Sequence, residues 1–237
     1  MRKFINIILI AFSLWTGNLL ADSAAPIAKS EKYQVKDIIR HVLESNEMFV
    51  KNSAPEYFTP FLYSQNPMAT MVTCADSRLH THALDVHPDD DLFLVRNIGN
   101  QVSTAEGSVE YGVRHLHTPV LFIIGHSSCG AVEAAMSDYS KIEPSIKREL
   151  ETIKVIGNNP DDAVEVRKSV EANVNHQVSQ ALTKFATEIK EGRLTIIGGV
   201  YDFRNDYNQG SGRLVLININ GETNSAVIRK VQPFNHK

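Results

Sequence analysis

The 237 residues contain two cysteines, Cys74 and Cys129, and each sits beside other side chains that can do chemistry. Cys74 opens the run Cys74-Ala75-Asp76-Ser77-Arg78, and Cys129 closes the run Gly125-His126-Ser127-Ser128-Cys129. Two thiolates and one imidazole are good zinc ligands, and at a tetrahedral ion they leave the fourth position for water or substrate, as in catalytic sites. The spacing permits such a site. It equally permits a Cys74–Cys129 disulfide, the ordinary expectation for two cysteines in an exported chain.

Each run follows a short apolar, β-rich stretch, Ala69 to Thr73 before Cys74 and Val120 to Ile124 before His126. Leu92 to Val95, Leu194 to Ile197 and Leu214 to Ile219 have the same character and read as further buried strands. Helical patterns over Ser108 to Leu116, Gly130 to Met136 and Val164 to Ile189 separate several of them. The alternation predicts an α/β fold with a mainly parallel central β-sheet flanked by helices. Gly210-Ser211-Gly212 reads as a turn before the last strand, which makes that strand an antiparallel edge. In such a sheet ligands bind at the carboxyl ends of strands where the order reverses, so two strand ends can bring the runs together in one crevice. Gly198-Gly199 and Gly210-x-Gly212 are too weak as phosphate loops and read as close-packing and turn sites.

Upstream, Val35, Ile38, Ile39, Val42, Leu43, Met48 and Phe49 recur at helical spacing. They predict an N-terminal helical arm near 31–51, suited to packing on a partner subunit. Residues 31–237 read as a single domain. The start of the chain differs in kind: Met1-Arg2-Lys3 is basic, Phe4 to Trp15 is almost wholly apolar, and Leu19-Leu20-Ala21 ends in a small residue. This pattern predicts a signal peptide over 1–21, a short tether over 22–30, and export, in a bacterium to the periplasm. The apolar run is too short for a spanning helix, so no stable membrane anchor is expected. A net charge of -3 and a pI near 6.3 offer no basic field for nucleic acid.

Cys-x-Asp-Ser-Arg followed by His-x-x-Cys-Gly resembles the paired signature of the β-class carbonic anhydrases, over about residues 31–220. The resemblance implies one zinc per chain held by Cys74, His126 and Cys129, with Asp76 and Arg78 as a catalytic dyad beside it. It implies reversible hydration of carbon dioxide to bicarbonate and a proton by zinc-bound hydroxide. Gln65, Phe93 and Tyr111 fall where the plant-type enzymes place residues of the substrate pocket. Met71 stands where the closed-form bacterial enzymes carry a Trp, so the sequence resembles the open, plant-type subclass more closely. Arg96 matches an Arg of both groups and decides nothing between them. In the family these pocket residues meet across a dimer interface, which implies a homodimer, with a tetramer open.

Zinc lowers the pKa of its bound water toward ~7, but two thiolates offset the metal's charge, so activity is expected to rise on the alkaline side. A forked pair of bonds from Arg78 would keep Asp76 ionised and rigid. If Arg78 releases it, Asp76 could bind zinc instead. His80, His82 and His87 follow the dyad; they read as solvent-facing loop residues more readily than as a proton shuttle. Two other readings remain: hydrolysis of carbonyl sulfide or carbon disulfide on the same scaffold, and a non-catalytic zinc or bicarbonate-binding protein.

Overall fold

The computed structural model describes residues 35–231. The signal segment, the tether and the first residues of the expected arm lie outside that range. The chain falls into two compact units, one ending at Thr59 and one beginning at Pro60.

In the first unit, helix α1 (Val35–Asn52) forms where the apolar period predicts it. Val35, Ile38, Ile39, Val42 and Leu43 follow the spacing of one helical stripe, yet none of them is buried. Asp37 in the first turn and Lys51 in the last suit the helix dipole. The rings of Phe49, Tyr57 and Phe58 meet edge to face, 5.1 to 6.1 Å between centroids.

The second unit is built on one five-stranded sheet. Its strands are β1 (Ala69–Cys74), β2 (Leu92–Asn97), β3 (Val120–His126), β4 (Thr195–Asp202) and β5 (Arg213–Ile219). The spatial order is β2-β1-β3-β4-β5, with β5 antiparallel to β4 and every other pair parallel. All five apolar runs are strands. β1, β2, β3 and β4 run on past their apolar stretches, because the ladder pairs Cys74 with Asn97 and His126 with Tyr201 whatever the side chains. That extension carries the first two candidate ligands onto the last residues of β1 and β3. Gly210 and Gly212, at φ +99° and +81°, make the turn that reverses the chain into β5.

Helix α2 (Glu106–Glu110) runs on as a π-helical turn, Tyr111–His115. α3 (Gly130–Ala135), α4 (Pro144–Leu150), α5 (Ala163–Lys184), α6 (Ala186–Lys190) and α7 (Ser225–Val231) complete the unit. The helical pattern over Val164 to Ile189 is two helices, broken at the buried Phe185, whose φ of -108° and ψ of 28° leave the helical region. Asp162 caps α5 by accepting the amide hydrogens of Val164 and Glu165 at 2.8 and 3.3 Å. Val166, Val170, Val174 and Val178 form its buried face, each contributing about 1.5–3 kcal/mol of burial. The close approach needs glycine in the sheet: a Cβ on Gly125 or Gly198 would stand 2.8 or 2.9 Å from Val174. Among the described residues, no helix is long and apolar enough to cross a membrane.

Candidate metal centre

The order of the sheet reverses at β1, which has β2 on one side and β3 on the other. The two chemical runs begin at the carboxyl ends of β1 and β3, beside this reversal, the place where open α/β sheets bind ligands. Past Cys74 the chain turns tightly: the Leu79 amide donates to the Asp76 carbonyl at 3.1 Å, and the Arg78 amide to Asp76 Oδ1 at 2.9 Å. Arg96, from β2, ties this turn down from beside it. Its guanidinium donates to the carbonyl oxygens of Cys74, Asp76 and Leu79, at 2.7 to 3.1 Å. Past His126, the Ser127 amide donates to the Tyr201 carbonyl at 3.1 Å, and Ser128 takes a left-handed φ of +52°. That reversal sets Cys129 as the residue before α3, facing back toward Cys74.

The result is a buried cluster. Cys74, His126 and Cys129 are 4%, 0% and 1% exposed, and their donor atoms all lie within 4.8 Å of one another. Both cysteines are free thiols, with sulfurs 3.9 Å apart, so the disulfide expectation gives way to the metal one. Two thiolates about 2.3 Å from a tetrahedral zinc would stand roughly 3.8 Å apart, close to this separation. The His126 tautomer is fixed as well. Nδ1 lies 3.0 Å from the Ser127 carbonyl, which can only accept, so Nδ1 carries the hydrogen and Nε2 keeps its lone pair. Nε2 is buried with no hydrogen-bond partner, the state expected of a ligand atom.

Electrostatics point the same way. Cys74 and Cys129 titrate as a pair: their mutual hydrogen bond pulls the Cys74 thiol well down, with help from His126, and the same contact together with burial pushes Cys129 up. One negative charge is easily held and the second is resisted, a conflict that a divalent cation between the sulfurs removes.

Asp76 stands at the edge of the cluster, its Oδ2 3.8 Å from His126 Nε2. Arg78 grips it with two parallel bonds, Nε to Oδ1 at 2.9 Å and Nη2 to Oδ2 at 2.7 Å. These bonds, joined by the Arg78 amide, hold the carboxyl well below the usual carboxylate range, so it stays ionised. Arg78 Nη2 also donates to the Ser128 carbonyl at 2.9 Å, linking the two runs.

The structure therefore brings together Cys74, His126, Cys129, Asp76 and Arg78. Phe93 and Tyr111 meet each other, with ring centroids 5.9 Å apart, and Tyr111 stacks on His115 at 5.4 Å. Within one chain they are not at this centre: Phe93 pairs with Thr70, four residues before Cys74 on β1 and so roughly 13 Å down the strand. Gln65 is exposed on the segment before β1. His80, His82 and His87 are all exposed, and the rings of the first two lie 6.5 Å apart. Sequence reasoning missed the tie made by Arg96, since nothing in the sequence reveals that β2 lies beside β1 with Asn97 opposite Cys74. It also missed Phe203, just past β4, whose ring stacks on His126 at 6.0 Å.

A mainly parallel sheet with its order reversed at a buried Cys2His cluster, flanked by an Asp–Arg pair, is the architecture of a β-class carbonic anhydrase. The sequence profile described as carbonic anhydrase matches residues 69–208, and the chain belongs to that family, in its β class. Carbonic anhydrase 2 of Mycobacterium tuberculosis is 35% identical over 101 residues, 40% of this chain and 49% of the relative. Beta carbonic anhydrase 5, chloroplastic, of Arabidopsis thaliana is 27% identical over 166 residues, 62% of this chain and 55% of the relative. The chain thus spans about half the length of these two relatives. The Coccomyxa beta-carbonic anhydrase solved in complex with acetazolamide superposes with a TM-score of 0.64 at 26% identity, covering 80% of this chain and 90% of that one. For this class the metal is zinc, one per chain, and the donors present fit it.

Proposed function

We propose that the protein catalyses the reversible hydration of carbon dioxide to bicarbonate and a proton. The observation that carries this reading is the buried triad of two sulfurs and an orphaned imidazole Nε2, with an ionised Asp76 fixed beside it. Held by Cys74, His126 and Cys129, zinc would supply Lewis acidity that makes hydroxide available from water near neutral pH. Asp76, held as a carboxylate, would offer Oδ2 as a fixed hydrogen-bond acceptor beside the triad and so help to orient the attacking oxygen toward the substrate. Arg78, bonded to both carboxylate oxygens, would hold Asp76 back from a metal in the triad. His126 is kept in the ligating tautomer by the Ser127 carbonyl, and Arg96 holds the backbone of Cys74 and Asp76 in place. Stopped-flow measurement of carbon dioxide hydration by zinc-loaded protein at alkaline pH tests the proposal. Turnover that disappears on chelation and returns with zinc supports it; no turnover in the zinc-loaded protein overturns it.

The finer reading is the open, plant-type site working in a homodimer. Phe93 and Tyr111 supply a dry surface suited to a small apolar gas, and the distance of Phe93 along β2 from its own chain's cysteines, with Tyr111 packed against it, supports delivery to a partner's site. Mixing Cys74→Ser chains with Tyr111→Ala chains tests this. Each variant alone is impaired, and mixed dimers recover turnover at the one site that has both intact halves. No recovery on mixing contradicts it. Export to the periplasm rests on the basic, apolar and small-residue pattern of 1–21, and a mature N-terminus at or near Asp22 in a periplasmic fraction checks it.

A further inference from the structure

Three in-plane bonds hold Arg78: two to Asp76 and one to the Ser128 carbonyl. Bonds of that kind fix a flat guanidinium within its own plane and leave it free to hinge out of the plane. Something must cover its face. The Arg78 guanidinium carbon lies over the ring of Phe203, 4.9 Å from the centroid, and the same ring stacks on His126 at 6.0 Å with 26° between planes. Phe203 is therefore in touch with a metal ligand and with the arginine of the dyad at once.

Phe203 is itself firmly placed. Asp202, fully buried at the end of β4, accepts the amide hydrogens of Asp206 and Tyr207 at 3.0 and 2.9 Å, which closes the loop behind the ring. On the other side the Arg204 amide donates to Ser127 Oγ at 3.4 Å, and Arg204 Nη1 to Ser128 Oγ at 3.1 Å. With both neighbours anchored, the ring cannot follow Arg78 if the arginine swings away. A swing would matter, because Asp76 Oδ2 is already 3.8 Å from His126 Nε2. A small rotation of the freed carboxylate would carry it to the position that the substrate-side ligand must occupy.

We propose that Phe203 is a positioning residue: its ring holds the Arg78 guanidinium on Asp76 and thereby keeps Asp76 from taking the open metal position. The inference rests on the reading of Asp76 and Arg78 as the dyad of a metal site. Its effect is on the choice between two arrangements of the dyad. The contact is a cation over an aromatic face in a half-buried setting, and its loss should shift that choice by about five- to thirty-fold.

Full-length protein loaded with cobalt and titrated with azide at one fixed pH, followed by visible absorption, reads the choice directly. Azide enters only where Asp76 does not already bind. Phe203→Leu, which keeps the apolar bulk and removes the π face, should weaken azide binding by about five- to thirty-fold, while Phe203→Tyr retains the parent affinity. In an Asp76→Ala background, Phe203→Leu should have no effect, since no carboxylate remains to compete. Phe203→Met supplies a second apolar variant if the leucine chain does not fold. Unchanged azide affinity in Phe203→Leu or Phe203→Met overturns the proposal, and so does a loss that persists without Asp76. A parent protein that binds cobalt and azide but does not hydrate carbon dioxide would sink the proposed activity and leave this inference standing.

Discussion

Arg96 offers the sharpest test of how the site is held, because one side chain serves three carbonyl oxygens that no other described residue's side chain reaches. Replacing it with Met keeps an unbranched stem and removes every donor. Hydrogen bonds from a charged group contribute about 1.5–3 kcal/mol each when buried, but Arg96 itself is exposed, so water replaces part of the loss. For three carbonyls the expected cost is about 2–4 kcal/mol, felt in the turn that follows Cys74. Since that turn carries one ligand and the dyad, zinc affinity should fall by about 10–100-fold, the range for a lost partner of a metal ligand. Arg96→Lys, with a single ammonium, should restore only part of both. Urea unfolding of metal-free protein measures the first quantity, and competition for zinc against a chelator of known affinity measures the second. Parent-like stability together with parent-like zinc affinity in Arg96→Met would refute the argument.

Two further outcomes follow from packing and charge. Gly198→Ala drives a Cβ to 2.9 Å from Val174 and 3.0 Å from Val178, so it should cost about 1–3 kcal/mol and lower Tm by roughly 2–12 °C; an unchanged melting curve would contradict it. Glu188 is nearly buried and is held below the usual carboxylate range, chiefly by the bond from Arg114 Nε to its Oε1 at 2.7 Å. A carboxyl depressed in the folded state stabilises above its unfolded value, near 4.3, and loses that contribution as pH falls through the folded value. Urea midpoints should therefore drop more steeply below about pH 5 in the parent than in Glu188→Gln, and equal slopes would refute the assignment.

Much of the fold was legible because apolar periodicity reports burial, and burial is what the sheet and α5 share. The five apolar runs and the Gly210–Gly212 turn carried the strands and the antiparallel edge. The helix break at Phe185 was not legible, since the residues on both sides continue the same pattern and only the packing of the ring interrupts it. α4 was hidden for the opposite reason: seven residues with Leu150 as its one buried side chain carry too little period to detect. At the site, the donors were legible from residue type and spacing, because few side chains bind zinc. The residues that hold the donors were not. Arg96 and Phe203 act from β2 and from the end of β4, and only the order of the strands puts them beside Cys74 and His126. Gln65, Phe93 and Tyr111 were suggested by family position alone, and within one chain the structure does not bring Phe93 and Tyr111 to the centre.

On the proposed reading, Cys74 and Cys129 are zinc-bound thiolates in one buried site with His126. Zinc content and free thiols, counted together after denaturing the purified full-length protein without reductant, test it most directly. One zinc and two free thiols per chain are expected. Zinc-free protein with Cys74 and Cys129 joined in a disulfide would contradict it.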